Sequence, residues 1–117
     1  MAAIAALTLP MREVLVLQLS HLGYHAREAA DGWEGLDIVK DDHIDLLLSD
    51  IMLPGGKDGC ELAREALVHC PNIRVILTSG FRNMPSQADL TERGVRLLRK
   101  PYRIDELACA LHDALEG

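Results

Sequence analysis

The chain has 117 residues, 49% of them apolar and 26% charged, with a formal net charge of -6. This length and balance suit one domain, 1–117, that buries a core without disulfides or a structural metal, and they exclude a disordered chain. The negative charge argues against direct nucleic-acid binding, and no apolar run is long enough for a membrane span.

The start, Met1 to Leu9, is apolar but lacks the basic residues of a signal peptide, so a cytoplasmic protein with no membrane partner is expected. The residues Ala2-Ala3-Ile4-Ala5-Ala6 have weak strand propensity, yet the pattern of the rest calls for a first strand here. Met11, Val14, Leu15, Leu19 and Leu22 fall on one face of a first helix that Gly23 ends. A strand is expected over His25–Ala29. Asp31 and Gly32 open a second helix with Leu36 and Val39 inward. Ile44–Leu48 is apolar apart from Asp45, as a strand covered on both faces would be. Leu62, Ala63, Ala66 and Leu67 form a third helical stripe. Ile73–Leu77 reads as a strand, Pro85–Arg93 as a more polar helix, and Val95–Leu98 as a last strand. Ile104, Leu107, Ala108, Leu111 and Leu115 give the final amphipathic helix.

Strands alternating with helices predict right-handed crossovers and a parallel sheet, with five strands and five helices. Ligands in such α/β folds sit beyond the carboxyl ends of the strands, so the strand exits are the candidate site: Ser49-Asp50, Thr78-Ser79 and Lys100-Pro101. A carboxylate at Asp50 can attack phosphorus to form a mixed anhydride, although an Asp before Pro54-Gly55 can equally serve as a turn former. Thr78 could donate to a phosphoryl oxygen, and Lys100 could pair with Asp50 before reaction and with the phosphoryl group after it. A cis peptide before Pro101 would aim Lys100 inward. Each residue alone has a bland explanation; the three together, in this order, are harder to explain that way.

The segments Ser49-Asp50-Ile51-Met52-Leu53-Pro54, Gly55-Gly56-Lys57-Asp58-Gly59, Leu77-Thr78-Ser79-Gly80 and Lys100-Pro101-Tyr102 resemble the receiver domains of bacterial two-component response regulators, above all those of hybrid histidine kinases. The likeness runs from about Arg12 to Leu115. It implies a flavodoxin-like (βα)5 doubly wound sheet in the order 2-1-3-4-5. It also implies phosphorelay signal transduction, with Asp50 as phospho-acceptor, Thr78 as switch hydroxyl and Lys100 as the conserved-type lysine. Leu97 falls where many members of that family place a switch aromatic.

Receivers normally carry two adjacent acids at the exit of the first strand. Counting back from Gly23-Tyr24 places them at Ala6 and Leu7, neither of which can hold a metal. Mg²⁺ needs near-octahedral oxygen ligation. Asp50 and the Met52 carbonyl are residual candidates that do not complete a site. Two explanations stay open, a degenerate receiver or an altered beginning of the sequence in place of an acid-bearing start; on the residues as they stand no cofactor is expected, Mg²⁺ binds weakly if at all, and phosphorylation is impaired. The alternative is a phosphorylation-independent pseudo-receiver that acts as an interaction module. An aspartyl-phosphate phosphatase would need a second Asp where Met52 stands, so no enzyme is expected. A histidine kinase or phosphotransfer protein is the expected donor. No DNA-binding segment follows Gly117, so output is expected from a partner protein or from domains outside this chain. The remaining features read as bland: five histidines without ligand spacing, reduced Cys60, Cys70 and Cys109, Trp33 covering a helix face, and Asp41 and Asp42 in a solvated loop.

Overall fold

The computed structural model describes residues 2–6, 9–80, 90, 93–100 and 102–116. Within these residues the chain alternates β1 (Ala2–Ala6), α1 (Leu9–His21), β2 (His25–Ala29), α2 (Gly32–Asp41), β3 (Leu46–Asp50), α3 (Gly59–His69), β4 (Arg74–Ser79), β5 (Arg96–Arg99) and α4 (Ile104–Glu116). The strands form one parallel sheet in the order β2-β1-β3-β4-β5, the flavodoxin-like arrangement. The helix expected over Pro85–Arg93 lies outside the described residues except for Leu90, which is buried, and Arg93.

The alanine-rich β1 pairs with both β2 and β3, and Ala3 to Ala6 are fully buried. Packing between two covered faces outweighs weak local propensity here. Alternate side chains go to opposite faces. Ile4, Ala6, Leu47, Val75 and Leu77 pack beneath α2 and α3, which contribute Leu36, Val39, Leu62, Ala63 and Ala66. Ala3, Ala5, Leu46, Leu48 and Ile76 pack beneath α1 and α4, which contribute Leu15, Leu19, Leu107 and Leu111.

Helix starts follow from local chemistry. The Asp31 carboxylate accepts from the Glu34 amide at 2.8 Å, and Glu34 reaches back to the Ala30 amide at 3.3 Å, a reciprocal cap. Asp58 caps α3 through the Glu61 amide at 2.8 Å. Gly23, at φ 94°, ends α1 in a conformation that glycine adopts without strain.

Three expectations need correcting. Of the α1 stripe, Leu15 and Leu19 are buried, but Val14 and Leu22 are about half exposed; a helix that is apolar on several sides does not reveal its inner face by periodicity. Trp33 covers a loop and not a helix face: its indole N–H donates to the Gly55 carbonyl at 2.8 Å and its ring lies 4.4 Å beneath the Lys57 ammonium. Asp41 ends α2, and Asp42 caps that helix while pairing with Arg27. No helix of the described residues is long and apolar enough to cross a membrane.

Candidate functional site

Strand register brings the exits of β3, β4 and β5 together. Asp50 lies opposite Thr78, and Ser79 opposite Arg99. The Lys100 amide donates to the Ser79 carbonyl at 2.8 Å, which extends the pairing of β5 by one residue and carries the lysine to the sheet edge. Pro101, before which a cis peptide would aim Lys100 inward, lies outside the described residues.

Asp50 is 2% exposed and Thr78 1% exposed. The Thr78 hydroxyl donates to Oδ1 of Asp50, and Nζ of Lys100 stands 2.6 Å from the same oxygen. A carboxylate this deep needs such partners, because an uncompensated charge would be expensive to bury. The backbone beneath it is tied down as well. The Ile51 amide donates to the Thr78 carbonyl at 2.9 Å, and the Gly59 amide to the Ile51 carbonyl at 2.8 Å. The Ser49 hydroxyl donates to the Asp50 carbonyl at 2.8 Å. The structure thus brings together all three residues singled out at the strand exits.

By strand alternation Asp50 follows Leu46 and Leu48 onto the face beneath α1 and α4, and Thr78 follows Ile76 onto the same face. Ala6 belongs to the opposite face, fully buried beneath α2 and α3 and paired in register with Ser49. Leu7 lies outside the described residues. Met52 is 64% exposed and Leu97, the expected switch position on β5, 42% exposed.

Two parts of the site were not read from sequence. The first is a clamp on the loop between β3 and α3. Lys57 is only 4% exposed; its ammonium pairs with Glu65 and lies over Trp33, and Gly32 packs against its stem. No periodicity announces a buried lysine in a loop, although the Trp33 and Gly55-Gly56 pair offered a hint. The second is Tyr102. It packs against the cluster beneath α1 and α4, and burial together with the Asp50 carboxylate pushes its phenol up to about 12.

A family model described as response regulator receiver domain matches residues 9–112. The chain belongs to the response regulator receiver family. It is 32% identical over 98 residues to the response regulator receiver protein CpdR of Brucella abortus, covering 83% of this chain and 81% of that protein. It is 36% identical over 90 residues to sporulation initiation phosphotransferase F of Bacillus subtilis, covering 76% and 72%. A receiver domain protein (CheY-like) from Methanospirillum hungatei superposes with a TM-score of 0.88 at 23% identity over 98% of this chain and 92% of that one, a likeness of fold. Receivers of this family signal in two-component and phosphorelay systems through a phosphorylatable aspartate, and they interact with histidine kinases or phosphotransfer proteins.

Proposed function

We propose that this receiver takes a phosphoryl group on Asp50 from a histidine kinase or phosphotransfer protein, with reduced help from Mg²⁺. The observation that carries this reading is the convergence of Thr78 and Lys100 on one oxygen of a buried carboxylate at a strand exit. In the reaction, a carboxylate oxygen of Asp50 attacks phosphorus. The bond from phosphorus to the donor imidazole breaks, and the imidazole leaves with a proton taken from solvent. Lys100 and Thr78 then exchange a carboxylate oxygen for phosphoryl oxygens. The shift of these two groups, carried by β4 and β5, is the conformational signal to an output partner protein.

The residues do not fit a complete Mg²⁺ cage. Ala6 is apolar and faces away from Asp50, and position 7 is leucine. Among the described residues no group of three or more His, Cys, Asp or Glu is placed to hold a metal ion. Asp50 and the Met52 carbonyl leave most of an octahedral shell to water. The same feature favours a second reading, a pseudo-receiver that uses this surface for protein interaction without phosphate. The glycine-rich loop after Pro54 supports a further likeness to receivers of hybrid histidine kinases. A cytoplasmic location without direct nucleic-acid contact fits both readings.

The test is intact-mass analysis after incubation with acetyl phosphate, in Mg²⁺ and in EDTA, for the parent and Asp50→Asn. Slow labelling of the parent, indifferent to Mg²⁺ and lost in Asp50→Asn, is expected. A parent that never labels selects the pseudo-receiver. A rate that rises saturably with Mg²⁺ removes the impairment from the reading.

A further inference from the structure

One buried polar group at this site has no evident purpose in the unmodified protein. The Tyr102 hydroxyl is shielded from solvent and has no hydrogen-bond partner among the described residues. Buried hydroxyls are nearly always partnered, and an orphan forfeits its hydration without compensation. Phenylalanine would fill the same space without that loss. The hydroxyl is therefore a liability unless some other state of the site uses it.

Its position indicates which state. Tyr102 follows Lys100 by two residues and packs against the cluster that contains Ala5, Leu48 and Ile76. Asp50 and Thr78 continue that same face, one alternation beyond Leu48 and Ile76. The tyrosine thus packs on the face of the sheet that Asp50 and Thr78 continue, near enough for the Asp50 carboxylate to act on its phenol. Lys100 and Thr78 both already engage Oδ1 of Asp50. A phosphoryl group would add three acceptor oxygens that these two donors cannot fully satisfy.

We propose that the Tyr102 hydroxyl donates a hydrogen bond to a phosphoryl oxygen carried by Asp50, as a third donor beside Thr78 and Lys100. This rests on Asp50 being the phospho-acceptor. The phenol keeps its proton throughout: the bond from Asp50 to phosphorus forms, the bond to the leaving group breaks, and Tyr102 only redirects its O–H. The burial and negative field that hold the phenol neutral keep it a donor at every working pH.

The experiment compares the parent with Tyr102→Phe in two measurements. Urea unfolding of the unmodified proteins is expected to show the variant at least as stable as the parent. The second-order rate of Asp50 labelling by acetyl phosphate is expected to fall about five-fold, the worth of one neutral hydrogen bond. A purely structural tyrosine would move both in the same direction, whereas these move oppositely or separately. A variant clearly less stable than the parent overturns the proposal, because the hydroxyl then has a partner before reaction. A labelling rate unchanged by Tyr102→Phe, in a parent that does label, overturns the Tyr102 role alone. A parent with no adduct at Asp50 overturns the acceptor reading and this role with it.

Discussion

Substituting alanine for Gly59 pits helix propensity against packing, and the two give opposite signs. Gly59 is the first residue of α3, where propensity favours alanine by about 1 kcal/mol. In the structure a Cβ at Gly59 would meet the Asp50 carbonyl oxygen, with the Asp50 carbonyl carbon at 2.8 Å and the Ile51 Cα at 2.9 Å. Ordinary carbon–carbon contacts lie near ~3.5–4.0 Å, so the backbone must open by roughly 0.7 Å. Neither side can yield cheaply, since Ile51 is bonded on one side to Thr78 and on the other to Gly59 itself. Overpacking costs about 1–3 kcal/mol and sometimes more, and backbone against backbone belongs at the upper end. The net expectation for Gly59→Ala is a loss of about 2 kcal/mol, read as a lower urea midpoint or a fall in Tm of roughly 8 °C. The displaced atoms are those of Asp50, so labelling by acetyl phosphate should slow as well. Gly56→Ala is the control. At φ 90° with open space around it, it should cost about 1 kcal/mol through backbone strain and leave labelling unchanged. A Gly59→Ala protein as stable as the parent would refute the close approach of α3 to the end of β3.

The Lys100–Asp50 pair should behave as one unit: Lys100→Met costs about 2–3 kcal/mol at neutral pH by taking the cation from a buried carboxylate, discounted for a lysine that is partly exposed, and Asp50→Asn in the same chain recovers most of it. Simple additivity in urea unfolding would contradict that coupling. Lys57→Met should hold stability within about 1 kcal/mol, because an apolar stem of similar volume replaces a buried charge, whereas Lys57→Ala should lose about 2–4 kcal/mol of packing. Melting curves in which Met is the worse substitution would count against this. Tyr102 makes the fold sensitive to alkali. Its folded pKa of about 12 lies above the ordinary value near 10, so its contribution is complete below pH 10 and is lost as pH rises toward 12; Tyr24, raised by burial and then by Asp45, acts in the same direction. Tyr102→Phe should flatten the decline in urea midpoint between those pH values, and an unchanged slope would count against the buried phenol.

Strands were legible because a parallel sheet covered on both faces demands apolar runs, as at Leu46-Leu47-Leu48 and Val75-Ile76-Leu77. The convergence of Asp50, Thr78 and Lys100 was legible for the same reason, since parallel strands deliver their exits to one edge. Inward direction was harder to read. On α1 the residues Val14, Leu15, Val16 and Leu17 are all apolar, so the sequence does not say that Leu15 faces in while Leu17 is 65% exposed. The loop clamp was out of reach for a different reason. Lys57 carries a charge that normally marks surface, and its burial follows from Trp33, on the preceding helix, and from Glu65, on the next one. Gly59 and Tyr102 sat inside the quoted motifs, but their constraints involve the carbonyl of Asp50 and the cluster beneath α1 and α4, which spacing does not encode.

On the proposed reading, in which Ala6 and Leu7 stand where receivers carry an acid pair, charge bookkeeping sharpens what is removed. Two carboxylates and a divalent cation cancel, so losing all of them together leaves the net charge around Asp50 unaltered, both before reaction and with a phosphoryl group in place. Lys100 still neutralises Asp50 in the resting protein, and among the described residues no cluster of acids placed to hold a metal stands to repel an incoming phosphoryl donor. The deficit on that reading is therefore one of direction and not of net charge: an ion fixes several oxygens in octahedral positions, while an ammonium and a hydroxyl fix fewer. Such a deficit can be reduced by further neutral donors held rigidly by the fold, which need no counter-charge. The donor proposed for Tyr102 is of that kind. A receiver built this way would respond to phosphate without responding to Mg²⁺, since its donors are fixed by packing and not by a dissociable ion.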